Sequence, residues 1–166
     1  MAKQAKIRFG AIGCGNMGTH RIKQMVSHEL GVELVAAVDI DPPRLDNLAN
    51  VIGSNTFARY TGVNDYKRMI DENELDAVGI FTPHIPHYDH LKYALQKGRN
   101  VLIEKPMVCG AANALEVTKL AKEKGVTALL TYQRHYELKF MKARELIAKG
   151  AIGEVTNFFV YMAQDW

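Results

Sequence analysis

Only two cysteines, Cys14 and Cys109, and a single tryptophan occur in 166 residues. The cysteines are far apart and form no C-x-x-C, which excludes a disulfide-stapled framework and suits a reducing compartment. No apolar run approaches the roughly 20 residues of a membrane-spanning helix, and the first residues lack the apolar core of a secretory signal. A cytoplasmic chain with no membrane partner is therefore expected. Charge of one sign is equally scarce. The 21 basic and 18 acidic residues leave a net +3, and they intermingle over the expected helices instead of forming the basic stripe that tracks a phosphate backbone, so nucleic acid is not an expected partner. Low-complexity sequence is also absent. What remains is an ordinary apolar fraction, 48%, in a chain long enough for one full core and the beginning of a second domain.

The stretch from Ile7 to Asp39 organises that chain. A short apolar run, Ile7 to Ile12, breaks into Gly13-Cys14-Gly15-Asn16-Met17-Gly18 and continues with helical spacing through Ile22, Met25 and Val26. A second apolar run, Val32 to Val38, stops at Asp39. Strand, glycine turn, helix, strand and terminal acid within about thirty residues form the pattern of a dinucleotide site. Gly13 permits the tight turn, Gly15 lets the backbone approach a pyrophosphate, and Gly18 lets the helix pack closely on the strand. Asn16 and Met17 open the helix, where unpaired N–H groups meet phosphate. Asp39 stands about 20 residues further on, where a carboxylate accepts hydrogen bonds from the hydroxyls of an adenosine ribose. A bare glycine motif also occurs in structural turns; here the flanking elements favour the dinucleotide. Cys14 is read as a small side chain beside the turn, without chemistry.

The alternation continues. A helix is expected from Arg44 to Val51 with Leu45, Leu48 and Ile52 on one face, then an edge strand near Thr56 to Tyr60 and a helix around Asp65 to Ile70. Ala77 to Phe81 reads as a strand buried on both faces, Pro86 to Lys97 as a helix, Asn100 to Ile103 as a strand, Ala111 to Lys124 as a helix closed by Gly125, and Thr127 to Thr131 as a strand. Such alternation implies right-handed crossovers and an α/β, doubly wound parallel sheet, a Rossmann-like fold over residues 1–135. Residues 136–166 read as the start of a truncated second α+β domain: a helix from Leu138 to Lys149, with Phe140, Ala143 and Ile147 in one stripe, then a strand from Val155 to Met162 rich in β-branched and aromatic residues.

Ligands of open parallel sheets bind beyond the carboxyl ends of the strands, which singles out three stretches. In Thr82-Pro83-His84-Ile85-Pro86-His87, followed by His90, the histidine spacing spreads around a helix with no carboxylate or cysteine to complete a set, so no metal is expected. His84 and His87 are expected to line the cofactor groove beside Thr82 and Pro83, and His90 to face solvent. In Glu104-Lys105-Pro106 the lysine is either a surface residue or, desolvated near a nicotinamide, a proton-transfer group. In Gln133-Arg134-His135-Tyr136 the arginine either orients substrate or cofactor or caps a domain boundary.

Together, the glycine loop, Asp39, Thr82-Pro83 with His87, Glu104-Lys105-Pro106, Gln133-Arg134 and the closing Gly150-Ala151-Ile152-Gly153-Glu154-Val155 resemble the N-terminal half of the glucose-fructose oxidoreductase/inositol dehydrogenase/rhizopine-catabolism (Gfo/Idh/MocA) family. The resemblance covers nearly the whole chain, and Glu-Lys-Pro is its most specific part. It implies a dehydrogenase passing a hydride between NAD, less readily NADP, and a sugar, cyclitol or related polyol. Lys105 would match the catalytic lysine, Glu104 and Pro106 would shape the nicotinamide pocket, and Arg134 would join the cofactor contacts. It further implies that the complete protein is a homo-oligomer built through the second-domain sheet. His84 and His135 depart from the family pattern, which often has asparagine and a second arginine there. An aspartate and a histidine that the family draws from its second domain lie beyond this sequence, so the chain alone is expected to be inactive. The competing readings are an NAD(P)-binding sensor, in which Lys105 has no task, and a structural domain with a vestigial loop.

Overall fold

Residues 6–27 and 30–163 are described by the computed structural model. Six parallel strands form one sheet in the order β3-β2-β1-β4-β5-β6. They are β1 (Ile7–Ile12), β2 (Val32–Val38), β3 (Ala58–Tyr60), β4 (Ala77–Ile80), β5 (Asn100–Ile103) and β6 (Ala128–Leu130). The crossover helices are α1 (Asn16–Ser27), α2 (Pro42–Ile52), α3 (Asp65–Glu72), α4 (His87–Gln96) and α5 (Ala111–Lys124). The order reverses between β1 and β4, so a crevice opens at their carboxyl ends, beyond Ile12 and Ile80. This is the doubly wound sheet that the alternation of the sequence predicts.

The central strands are continuous apolar runs because helices cover both faces. On one face Met69 and Ile70 of α3, Leu91 and Leu95 of α4 and Val117 of α5 pack on Val78, Ile80 and Ile103. On the other, Ile22 of α1 with Leu45 and Leu48 of α2 packs on Phe9, Ala11 and Ala37. Residues spaced three and four apart on each helix supply one buried stripe, and the helix ends follow local chemistry. Pro42, which has no N–H to lose, opens α2, and Gly53 closes it in the left-handed conformation at φ 66°. The edge strand β3 is shorter than the stretch from Thr56, and α3 runs one residue pair past Ile70.

The chain divides into two compact units, Met1–Thr131 and Tyr132–Trp166. The second holds a 3₁₀ turn, Gln133–Tyr136, and helix α6 (Leu138–Ala148). No residue of α6 is buried, so its stripe of Phe140, Ala143 and Ile147 has no covering layer among the described residues. The strand expected from Val155 to Met162 does not form, and Phe158, Phe159 and Tyr161 are about four-fifths exposed. Composition favours extension there, but a strand is defined by its ladder, and no other strand exists among the described residues of this unit to pair with it.

Leu91 is fully buried between α4 and the sheet. Leu91→Ala is expected to lower the unfolding free energy by about 2–5 kcal/mol, the range for opening a cavity in a packed core, measured by urea titration. A loss under about 1 kcal/mol would show that this face of the sheet is loosely packed.

Candidate dinucleotide-binding site

The glycine loop is a backbone surface. Gly13 sits at φ 89°, and its N–H donates to the Val38 carbonyl at 2.9 Å, tying the loop to β2. A Cβ at Gly18 would be driven into the Gly13 carbonyl oxygen, so helix α1 approaches the loop as closely as it does only because that side chain is absent. The Thr19 hydroxyl donates to the Cys14 carbonyl at 2.9 Å and fixes the turn into the helix. The first N–H groups of α1 have no intrahelical acceptor, and they lie at the positive end of the helix dipole. The loop is thus a cradle for an anion of phosphate size.

Asp39, at the end of β2, is buried. Its Oδ2 accepts the Cys14 N–H at 2.7 Å and its Oδ1 accepts the Asp41 N–H at 3.0 Å. A carboxylate has about four acceptor positions, so two remain for a ligand. Arg44 Nη1 stands 4.0 Å from Asp39 Oδ2, while its Nε is 3.2 Å from Asp41 Oδ2. Cys14 is enclosed, and burial, followed by the Asp39 charge, pushes its thiol up to about 12. It stays protonated near neutrality and has no redox role in the cradle.

A cleft of about 570 Å³ runs along these groups, lined by Gly13, Gly15, Asn16 and Met17 of the loop, by Asp39, and by Thr82 and Pro83 after β4. Sequence reading had placed each of them at a cofactor. Gly18 underlies the cleft as the packing contact just described. The lining also includes Ile40, Val63, Tyr66 and His90, which the sequence does not place at the site. The first two follow the strand ends in irregular segments with no periodic signal. His90 corrects the expectation of a solvent-facing residue. It is 7% exposed, its ring lies edge-on to Tyr66 at 4.4 Å between centroids, and its Nδ1 is 3.3 Å from the Thr82 hydroxyl. Burial, helped by the His87 ring and opposed by Asp89, lowers its pKa to about 4.

His87 is fully buried and is absent from the cleft lining. Its Nδ1 is 2.7 Å from the Pro106 carbonyl and its Nε2 is 2.9 Å from the Thr82 carbonyl. It therefore acts on the groove from behind, fastening the segment after β4 to the segment after β5. His84 is exposed on the same loop. Glu104 is buried, with Oε1 3.1 Å from Arg21 Nε of α1 and Oε2 3.3 Å from the Lys105 N–H. Arg21 had no signal beyond its place one turn past Gly18. Lys105 is exposed, its side chain is in no ion pair among the described residues, and Pro106 follows it through a cis peptide bond. Arg134 belongs to the second unit, where its guanidinium meets Met162 Sδ at 2.9 Å. No cluster of three metal-ligating side chains occurs among the described residues, nor is any described helix long and apolar enough to cross a membrane.

The depressed pKa of His90 makes stability depend on pH. Unfolded, the ring takes a proton near its ordinary value of 6.5; folded, only near 4. The unfolded state therefore binds more protons between those values, and stability present above about 6.5 is lost as pH falls towards 4. Denaturant titrations across that window should show a loss in the wild type that is smaller in His90→Leu. Parallel curves for the two proteins would remove His90 as its source.

The fold has counterparts among known proteins. The family model described as "Oxidoreductase family, NAD-binding Rossmann fold" (Gfo/Idh/MocA) matches residues 7–132. Inositol 2-dehydrogenase 3 of Saccharopolyspora erythraea is 27% identical over 148 residues, 89% of this chain and 42% of that protein. Myo-inositol 2-dehydrogenase from Lactobacillus plantarum superposes with a TM-score of 0.81 at 28% identity, over 90% of this chain and 43% of its own. The WlbA dehydrogenase from Bordetella pertussis, solved in complex with NADH and UDP-GlcNAcA, gives 0.79 at 26% identity, over 92% and 42% respectively. The chain spans less than half the length of these relatives. With the family model covering most of its residues, it belongs to the Gfo/Idh/MocA oxidoreductase family, with that family's NAD-binding Rossmann fold.

Proposed function

We propose that this chain is the cofactor-binding half of an oxidoreductase that uses NAD and acts on a hydroxyl-bearing carbon of a sugar, cyclitol or related polyol. The observation that carries the reading is the continuity of one cleft from the glycine cradle past the two free acceptor positions of Asp39 to Thr82 and Pro83. The residues present fit the cofactor: the loop turns on glycines where a Cβ at Gly13 or Gly18 would clash with neighbouring atoms, and the buried carboxylate offers acceptors to the hydroxyl donors of a ribose diol. When bound, the nicotinamide ring supplies hydride exchange with the substrate carbon.

This chain's residues have separate tasks. The loop N–H groups bind the pyrophosphate, and Asp39 orients the adenosine ribose. Arg21 holds Glu104, Glu104 accepts the Lys105 N–H, and His87 holds the Pro106 carbonyl, so the backbone on both sides of Lys105 is fixed. Lys105 exchanges the substrate hydroxyl proton at Nζ. Its exposure in this unit means that the desolvation suited to that task comes from a substrate-binding half beyond the matched length. Arg134 is assigned to the cofactor on the family resemblance of its segment. The free cysteines suit the cytoplasm, and the apolar side chains exposed from Val155 to Met162 support assembly of the complete protein as a homo-oligomer through its second domain.

The cofactor assignment predicts preference for NAD over NADP. Asp39 opposes a 2′-phosphate and loses its diol partner, which is expected to weaken NADP by roughly one to two decades, the equivalent of about 1.5–3 kcal/mol for a hydrogen bond to a charged group. Calorimetric titration of the 166-residue chain with each cofactor measures this; equal affinities would remove Asp39 from the assigned role.

For catalysis, Lys105→Met in the two-domain protein is expected to leave NAD affinity nearly unchanged and to lower turnover by roughly two to four decades. Steady-state kinetics against a polyol panel provides the measurement. Near wild-type turnover would remove Lys105 from the mechanism.

A further inference from the structure

The half of the cleft beyond Asp39 has its own chemistry. With pyrophosphate on the glycine loop and the ribose on Asp39, the base of the dinucleotide lies on the side of Asp39 away from the loop. The apolar residues Ile40, Val63, Pro83 and Pro86 line the same cleft. Apolar side chains of this kind sandwich a flat ring and are indifferent to its edge. Among the polar side chains that line this cleft, His90 of α4 is the one imidazole.

His90 is held from two sides. Tyr66 packs edge-on against its ring, and the Thr82 hydroxyl lies against Nδ1. Nε2 makes no hydrogen bond to the protein among the described residues, and it is not among the buried nitrogen and oxygen atoms that lack a partner, so it reaches the cleft. A threonine hydroxyl both donates and accepts. It can therefore stabilise either imidazole tautomer, and Nε2 presents a donor or an acceptor as the ligand requires.

We propose that His90 is a base-recognition residue of this site, hydrogen-bonding through Nε2 to the polar edge of the adenine, with Thr82 setting its tautomer. The inference rests on the NAD reading and deepens it. Because the pair is amphoteric, it accepts the base edge in either sense. The slot then selects for a purine with a hydrogen-bonding edge instead of distinguishing a 6-amino from a 6-oxo group. The low pKa that burial imposes on His90 is consistent with a neutral ring able to serve in both senses.

The test uses the wild-type 166-residue chain with long-range ¹H–¹⁵N spectra of the histidine rings, titrated with NAD, with AMP and with inorganic pyrophosphate. The His90 Nε2 resonance is expected to move with NAD and AMP and to stay in place with pyrophosphate, which reaches only the glycine loop. In calorimetry, His90→Leu, which keeps the apolar volume, is expected to bind NAD roughly three- to tenfold more weakly, the effect of one lost hydrogen bond. Absence of NAD binding to the wild type would refute the cofactor reading itself. NAD binding with an unmoved Nε2 resonance, or full affinity in a folded His90→Leu protein, would overturn the role of His90 alone. Should that variant not fold, the wild-type spectra decide the question.

Discussion

The hydrogen bond from the Cys14 N–H to the Asp39 carboxylate sets the geometry on which the rest of the site depends. It joins the turn after β1 to the end of β2, so the glycine loop and the Asp39 carboxylate are tied together within the fold. Burying a carboxylate is unfavourable unless its lone pairs are satisfied. Two backbone N–H groups meet that requirement and leave the remaining positions directed to the cleft. Arg44 adds a partly exposed cation at 4.0 Å, too far and too solvated to neutralise the acid. On the proposed reading, this carboxylate accepts the ribose hydroxyls and disfavours a second phosphate there.

A parallel device operates on the other side of the reversal point. Glu104 follows β5 as Asp39 follows β2, and it too is buried; its partner is Arg21 of the glycine-loop helix. A buried ion pair is weak evidence of added stability, because desolvation offsets the attraction. Its consequence here is positional. Helix α1 is packed on the loop through Gly18 and meets Glu104 through Arg21, so one helix contacts both the glycine loop and the segment that carries Lys105.

Much of this was legible in the sequence because it follows from periodicity and from glycine. Strand runs such as Ala77 to Ile80, helical stripes such as Leu45 and Leu48, and the spacing from Gly13 to Asp39 each express a local rule, and the doubly wound parallel sheet follows from the alternation of strands and helices. Arg21 and His90 were illegible for a common reason. Each sits on a helix face where charged or polar residues are usual, and only tertiary placement shows that the face is turned inward. Residues 155 to 162 misled in the opposite direction. Their β-branched and aromatic composition is a true local signal, but pairing is a non-local requirement that composition cannot supply.

The histidines of the segment after β4 show how far identical side chains diverge with position. His87 and His90 are three residues apart on α4, about 60° from a full turn, and that offset is enough to separate their work. His87 is aimed at two carbonyls and closes the gap between the segments after β4 and β5, spending all its polar capacity inside the protein. His90 meets only a rotatable hydroxyl, so half its capacity faces the cleft. Burial of both rings therefore does not imply the same function. A buried polar group whose partners are all backbone is a strut, whereas one whose single partner is itself adaptable keeps a free end for a ligand, and along this helix that distinction separates the architecture of the cleft from its chemistry.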